Sequence, residues 1–295
     1  MKQNNFKANT EFVVESDTLL LEYLFAKLEN KSKNNVKSLL VRGNVSVNGK
    51  VITKHDYKLV VGQKVVIKWS QVFGDDRKEL FDIIYEDNEI IVINKPSGLL
   101  SMSTTTETQN TAYHMVMDYV KRKNPKNRIF IVHRIDRDTS GVLLIAKNDS
   151  IKHALQENWS DIVTIRSYIA VVEGKIEKDS DTITSWLKET KTQLVYSSKR
   201  AGDGKEAITH YQKLKSHNKY SLLDVCIDTG RKNQIRVHMK DIGHNVVGDK
   251  KYGATTDPMK RLGLHAHILE FKHPITKKLM HFEAEIPNEF NKLFR

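Results

Sequence analysis

The chain has 295 residues, 39% hydrophobic and 28% charged, which supplies a real core and excludes general disorder. No run of about 18 apolar residues occurs, which excludes a helical membrane span. Lys and Arg number 48 against 36 Asp and Glu, and the net +12 favours a polyanionic partner, nucleic acid before a membrane surface.

The N-terminal Met1-Lys2-Gln3-Asn4-Asn5 lacks the apolar stretch of a signal peptide. The single cysteine, Cys226, excludes an internal disulfide and a cysteine-built zinc site, so a cytoplasmic protein is expected. Residues 1–75 carry 12 Lys and Arg against 7 Asp and Glu, +5 from a quarter of the chain. Ser16 or Asp17 can cap a helix whose Leu20, Leu21, Leu24, Phe25 and Leu28 follow the 3.6-residue period. Ser32 can cap a second helix with Val36, Leu39 and Leu40 on one face, closed by Gly43. Lys33, Lys37 and Arg42 flank its apolar stripe. Val45 to Ile52 alternates around Asn48-Gly49, a two-residue hairpin signal, and Lys64–Lys68 reads as a further strand.

Helix, basic helix, glycine and V-x-V-N-G hairpin, in that order, resemble the S-four-type (αL) RNA-binding domain, over residues 12–72. In that family the second helix and hairpin face RNA. The resemblance therefore implies Lys33, Lys37, Arg42, Asn48 and Lys50 as RNA-binding residues. The bland alternative is a small α/β domain with ordinary solvated lysines.

A polar stretch at 73–79 breaks both periodicities and reads as a linker into a larger domain over 80–295. Ile83–Tyr85 and Ile90–Ile93 surround a polar turn and read as a hairpin. Strands are expected at Ile129–Val132, Val142–Ala146, Tyr168–Val172, Ile208–Leu214 and Leu222–Ile227, and helices at Ala112–Lys121, Ser150–Asn158 and Lys232–Ile242. Many strands with few helices favour an α+β class with a mixed, mostly antiparallel sheet. Neither G-x-G-x-x-G nor a P-loop is present, which disfavours a doubly wound nucleotide fold.

The densest chemistry is Val132-His133-Arg134-Ile135-Asp136-Arg137-Asp138-Thr139-Ser140-Gly141, a connection between two apolar strands. A plain turn needs only Gly, Asn or Asp. Two arginines, two aspartates and a histidine fit either a site in which arginines keep aspartates ionised or an exposed salt-bridged turn.

H-R-[LI]-D-x-D-T-S-G closely resembles the signature of RluA/RluD-type pseudouridine synthases. Further similar segments follow the family's order. They are Asn94-Lys95-Pro96-Ser97-Gly98, Tyr168 in R-S-Y-I-A-V-V-E-G, G-K-E-A-I-T with Thr209, Gly230 to His238, Gly243-His244, Gly248-Asp249-Lys250-Lys251-Tyr252-Gly253, and Leu264-His265-Ala266. Two departures stand out. Lys232-Asn233 replaces the family's Thr-His, and Arg166 replaces the lysine common before the family tyrosine.

The resemblance implies a uridine-to-pseudouridine isomerase without metal or cofactor. Asp136 would be the essential carboxylate, as nucleophile or as base toward the sugar, with Asp138 its rival on chemistry alone. Arg231 would pair with Asp136, Tyr168 would lie against the flipped base, and Arg134 would fill the vacated stack. His133, Thr139, Ser140 and Gly141 would shape the loop, while Lys95 would contact RNA or support that loop. His265-Ala266-His267 places two imidazoles on one strand face, yet no third ligand at a recognisable spacing accompanies them. Cys226 reads as core. The expected partner is structured RNA, large-subunit rRNA first and tRNA second, acted on by a monomer with no membrane association. A catalytically silent RNA-binding or assembly factor is the alternative, and an intact Asp136, Arg231 and Tyr168 argue against it.

Overall fold

The computed structural model describes residues 9–29, 31–41, 43–69, 81–104, 107 and 110–294. Arg42 and the expected linker at 73–79 lie outside them. The chain divides into two compact units, Met1–Lys78 and Glu79–Arg295.

The first unit begins with β1 (Thr10–Val13), two residues ahead of the expected domain start. A two-residue strand, β2 (Thr18–Leu19), leads directly into α1 (Leu20–Lys27). Neither Ser16 nor Asp17 caps this helix. Leu19 precedes it in extended conformation without a side-chain cap, because Thr18–Leu19 pairs with β5 (Lys58–Leu59). Asp17 instead accepts from the Val61 N–H at 3.0 Å.

Helix α2 (Lys33–Val41) ends at Gly43, whose φ of 60° and bond to the Leu40 carbonyl close it as expected. The hairpin of β3 (Val45–Val47) and β4 (Lys50–Val51) turns at Asn48 and Gly49 with φ of 48° and 81°. Two positive φ values make the type I′ turn that Asn-Gly favours. Strand β6 (Lys64–Ile67) pairs with both β1 and β3, giving the order β1-β6-β3-β4. Leu20, Leu24, Val36, Leu40, Val45, Val65 and Ile67 pack beneath as a fully buried core.

The second unit is built on one large sheet. β7 (Asp82–Glu86) and β8 (Ile90–Lys95) form the expected hairpin. Helix α3 (Ala112–Lys123) follows, its N-terminus capped by Thr111. Then come β9 (Phe130–Ile131), β10 (Ser140–Ala146), α4 (Asp149–Glu157) capped by Asn148, and the short α5 (Trp159–Ile162). Strands β11 (Val163–Glu173), β12 (Ser180–Glu189), β13 (Val195–Ser198), β14 (Lys205–Ser216) and β15 (Tyr220–Ile227) precede α6 (Gln234–Asp241). After a 3-10 turn at Lys250–Tyr252 come β16 (Leu264–Lys272), β17 (Leu279–Glu283) and α7 (Asn288–Lys292).

The strand order is β13-β12-β14-β15-β11-β16-β10-β8-β7, with β17 beside β16 and β9 beside β10. Among the described residues β10 and β16 are the parallel neighbours, so the sheet is mixed and mostly antiparallel. Every residue of β10 is buried, since both of its faces are covered. On one face Leu143 and Ile145 meet Val116 and Val120 of α3. On the other, Val142 and Leu144 meet Ile151 and Leu155 of α4 with Phe271 and Phe282. Helix α6 packs Ile235 and Met239 against Ala170, Tyr211 and Val225 of β11, β14 and β15. Cys226, expected in the core, is only half-buried, and burial beside Asp224 and Asp228 pushes its thiol pKa up.

Candidate active site

The connection between β9 and β10 is pinned from below by the segment that follows β8. Lys95 is fully buried, and its ammonium donates to the carbonyls of Pro96 (2.9 Å), Leu99 (2.7 Å) and Arg137 (3.0 Å). An ammonium has three donors, and all three are used inside the protein. Lys95 therefore supports the loop and does not face RNA, which corrects one of its two expected roles. Burial pushes its pKa down to about 7, while the charges of Asp138 and Asp136 pull the other way. Ser97 donates to the Asp138 carbonyl at 2.6 Å, and Ser101 donates to the Ile135 carbonyl at 2.8 Å.

The loop's far end is fixed by close packing. At Gly141, with φ of 111°, a Cβ would fall 2.0 Å from the Ala266 carbonyl oxygen. Only glycine fits that parallel contact between β10 and β16. Ser140 bonds His265 Nδ1 at 2.7 Å and accepts from Arg261 Nη2. Thr139 is buried, and its N–H donates to the Asp136 carbonyl. His133 accepts from the Leu144 N–H at 3.0 Å and lies against Trp159. Burial, with Arg166 adding, pushes its pKa down to about 4, so the ring is neutral and serves as an acceptor.

A small pocket opens above this frame, lined by Arg134, Asp136, Thr139, Tyr168, Gly230, Arg231 and residues of α6. The Asp136 side chain is 22% exposed there. Tyr168 reaches the pocket from β11, and burial, partly offset by Arg166, pushes its phenol up to about 12. Arg134 is exposed at the pocket, and no hydrogen bond or ion pair to a described residue engages its guanidinium.

The guanidinium beside Asp136 is not the expected one. Arg231 lies exposed in the turn before α6, and its Nε donates to the Glu206 carbonyl at 2.9 Å. Arg236, in the first turn of α6, faces inward and places Nη1 3.4 Å from Asp136 Oδ2. Asp249 grips the other edge of Arg236 with two bonds of 2.7 Å, and the Tyr252 ring lies 5.0 Å away. Burial works against the charge of Arg236, but bonds and attraction to Asp249, with Asp136 adding, outweigh it and raise its pKa. A buried guanidinium gripped by one carboxylate and aimed at a second, half-open one is a fixed positive charge at the pocket.

Sequence reading missed Arg236 and Asp249 as a pair, although both stand in segments singled out by pattern. Gln234 anchors the turn, accepting from Thr229 and the Arg231 N–H while donating to Thr209 and the Ile208 carbonyl. Arg166 donates to the Asp228 carbonyl, and a Cβ at Gly230 would stand 3.0 Å from its Nη1.

The expected RNA-facing residues of the first unit are solvent-exposed at Lys33, Lys37, Asn48 and Lys50. Asn48 also spends its side-chain oxygen on the Lys64 N–H at 2.8 Å, which holds the hairpin turn. His265 and His267 are engaged by protein groups, both bonding the Ala284 carbonyl. A larger cleft of about 340 Å³ lies elsewhere in the second unit, with Met102, Tyr113, Met117 and Phe130 in its walls. Among the described residues its walls carry Arg128 and Lys152 but no carboxylate.

The chain is similar to known proteins over most of its length. The family model described as RNA pseudouridylate synthase matches residues 89–241. An uncharacterized RNA pseudouridine synthase of Bacillus subtilis, YlyB, is 34% identical, with 92% of each chain covered. A ribosomal large subunit pseudouridine synthase D of Borreliella burgdorferi is 30% identical over 96% of this chain and 91% of that one. The solved structure of human RNA pseudouridylate synthase domain containing 4 shares the fold, with a TM-score of 0.58 at 21% identity. That alignment covers 71% of this chain and 90% of the human one. From the matched model, the full-length relatives and the shared fold, the chain belongs to the RNA pseudouridylate synthase family and is an RNA pseudouridine synthase.

Proposed function

We propose that this enzyme converts specific uridines of large-subunit ribosomal RNA to pseudouridine in the cytoplasm, with Asp136 as its essential carboxylate. The observation that carries the reading is the Asp136–Arg236 contact in a pocket walled by Tyr168. In the reaction the bond from the sugar to N1 breaks, the base turns, and C5 takes its place. The hydrogen on C5 leaves as a proton and N1 gains one, so atoms and charge balance. Asp136 acts on the ribose, and the Arg236 guanidinium beside it supplies a fixed positive charge for that step. Tyr168 lies against the displaced base.

A stacked uridine must first leave its helix, at a cost of about a few kcal/mol. Arg134, exposed and without a described protein partner, occupies the space left behind. The first unit is an S-four-type RNA-binding domain. Its I′ hairpin and glycine-closed basic helix present Lys33, Lys37 and Lys50 to phosphate. Ribosomal RNA is favoured because relatives matched over most of their length, from Borreliella burgdorferi and Xylella fastidiosa, carry the ribosomal large subunit in their names.

Tritium release from RNA labelled at uridine C5 tests the reading. Wild-type protein should release tritium from large-subunit rRNA transcripts, and Asp136→Asn should fall to background. Activity retained by Asp136→Asn would overturn the catalytic assignment. Release from tRNA alone would overturn the substrate.

A further inference from the structure

Asn233 immediately precedes α6, where an asparagine ordinarily accepts from the free N–H groups of the helix. It makes no such bond here. Its backbone lies in the left-handed region, φ +54°, which asparagine tolerates better than most residues. The side chain is buried and engaged elsewhere: Oδ1 accepts from Arg236 Nη1 at 3.0 Å, and Nδ2 donates to the Tyr252 hydroxyl at 3.0 Å. The amide's direction follows from chemistry, since the reverse orientation would set donors against a guanidinium that has no acceptor.

Asp249 holds Nε and Nη2 of Arg236, which fixes one edge of the planar group. Nη1 lies on the opposite side, where a swing about that edge moves it most. That nitrogen carries both the bond to Asn233 and the 3.4 Å contact to Asp136. We infer that Asn233 is a positioning residue for Arg236, holding Nη1 so that its second N–H points at Asp136. The inference rests on the catalytic reading of Asp136 and Arg236 above. Position 233 is also where the chain departs from the family's Thr-His pair. The neighbouring departure, Lys232, is tied by an ion pair to Glu189 of β12.

The test uses the full-length protein and the tritium-release assay. Asn233→Gly keeps the left-handed backbone and is well tolerated at a helix N-terminus, so it removes the acceptor with little else. Turnover should fall roughly tenfold with KM within about twofold, as expected when a catalytic group loses its aim. In an Arg236→Lys background the same change should cost nothing further, because the residue acts through Arg236. Asn233→Asp, which keeps an acceptor while Tyr252 donates, should recover most of the turnover. Wild-type turnover in Asn233→Gly, full additivity with Arg236→Lys, or no recovery by Asp overturns the inference. Asp136→Asn measured in parallel separates the two levels: if it stays active the site reading fails, and if it is inactive while Asn233→Gly is unaffected only the positioning role fails.

Discussion

Three lysines of the first unit and two cations of the second stand in opposite situations. In the first, Lys33, Lys37 and Lys50 stand in solvent on α2 and the hairpin. In the second, Lys95 has no exposed surface and Arg236 keeps 8%, each holding or aiming part of the loop that carries Asp136. An exposed lysine is hydrated, screened by salt and individually replaceable. A buried one must have every donor satisfied, so its removal is felt by whatever it held. On the proposed reading, the same residue types capture RNA in one region and shape the reaction in the other.

The sharpest way to break this contrast is Lys95→Met. Three carbonyls, one of them buried, would lose their donor, and a stability loss of about 3 kcal/mol is expected, with most turnover lost as the Asp136 loop loosens. Thermal unfolding and tritium release measure both, and an unchanged melting temperature would end the argument. Folded Lys95, near 7, lies below the ordinary lysine value of 10.5, so between those values the unfolded chain holds the extra proton. Wild-type stability should rise with pH across that window, and Lys95→Met should lack the slope.

A smaller effect is expected at the rim. Arg134→Ala should lower single-turnover rate by roughly tenfold while RNA affinity changes little, because one exposed phosphate contact contributes modestly to capture. Equal losses in rate and affinity would move Arg134 from base displacement to simple phosphate binding. Smallest of all, replacing Lys33 and Lys37 with Gln should leave turnover at saturating RNA unchanged. It should weaken binding and flatten the salt dependence by about one unit of slope per lost phosphate contact. An unaltered slope would show that these lysines do not meet RNA.

Local patterns were readable wherever neighbours in sequence decide the outcome. Asn48-Gly49 demanded a hairpin turn, and the apolar run Val142–Ala146 announced the strand β10. Strands β12 and β13 were not anticipated, because half of β12 is Ser, Asp and Thr and β13 is a short, polar edge. The helix cap at Ser16 or Asp17 failed because pairing of Thr18–Leu19 with Lys58–Leu59 took precedence over capping.

The candidate site divides in the same way. Loop residues 133–141 form a contiguous string, and its crowding of charge marked it without any fold in view. The partner of Asp136 could not be read so, since residues 231 and 236 are both arginine and only the direction each side chain faces separates them. That direction depends on α6 packing against the sheet and on Asp249 arriving from a later turn.

Resemblance to a family motif pointed to Asp136; by itself the sequence determined the two-part layout, the positive charge, and the strand and turn chemistry. These rest on short-range sterics, periodicity and residue type, which act within a few positions of the chain. The tertiary structure decided that Lys95 is buried beneath the loop, that Arg236 and not Arg231 meets Asp136 across 100 residues, and that Asn233 abandons its helix to hold it. Each of those outcomes depends on which side chains lose water when distant segments close, and burial is a property of the folded chain.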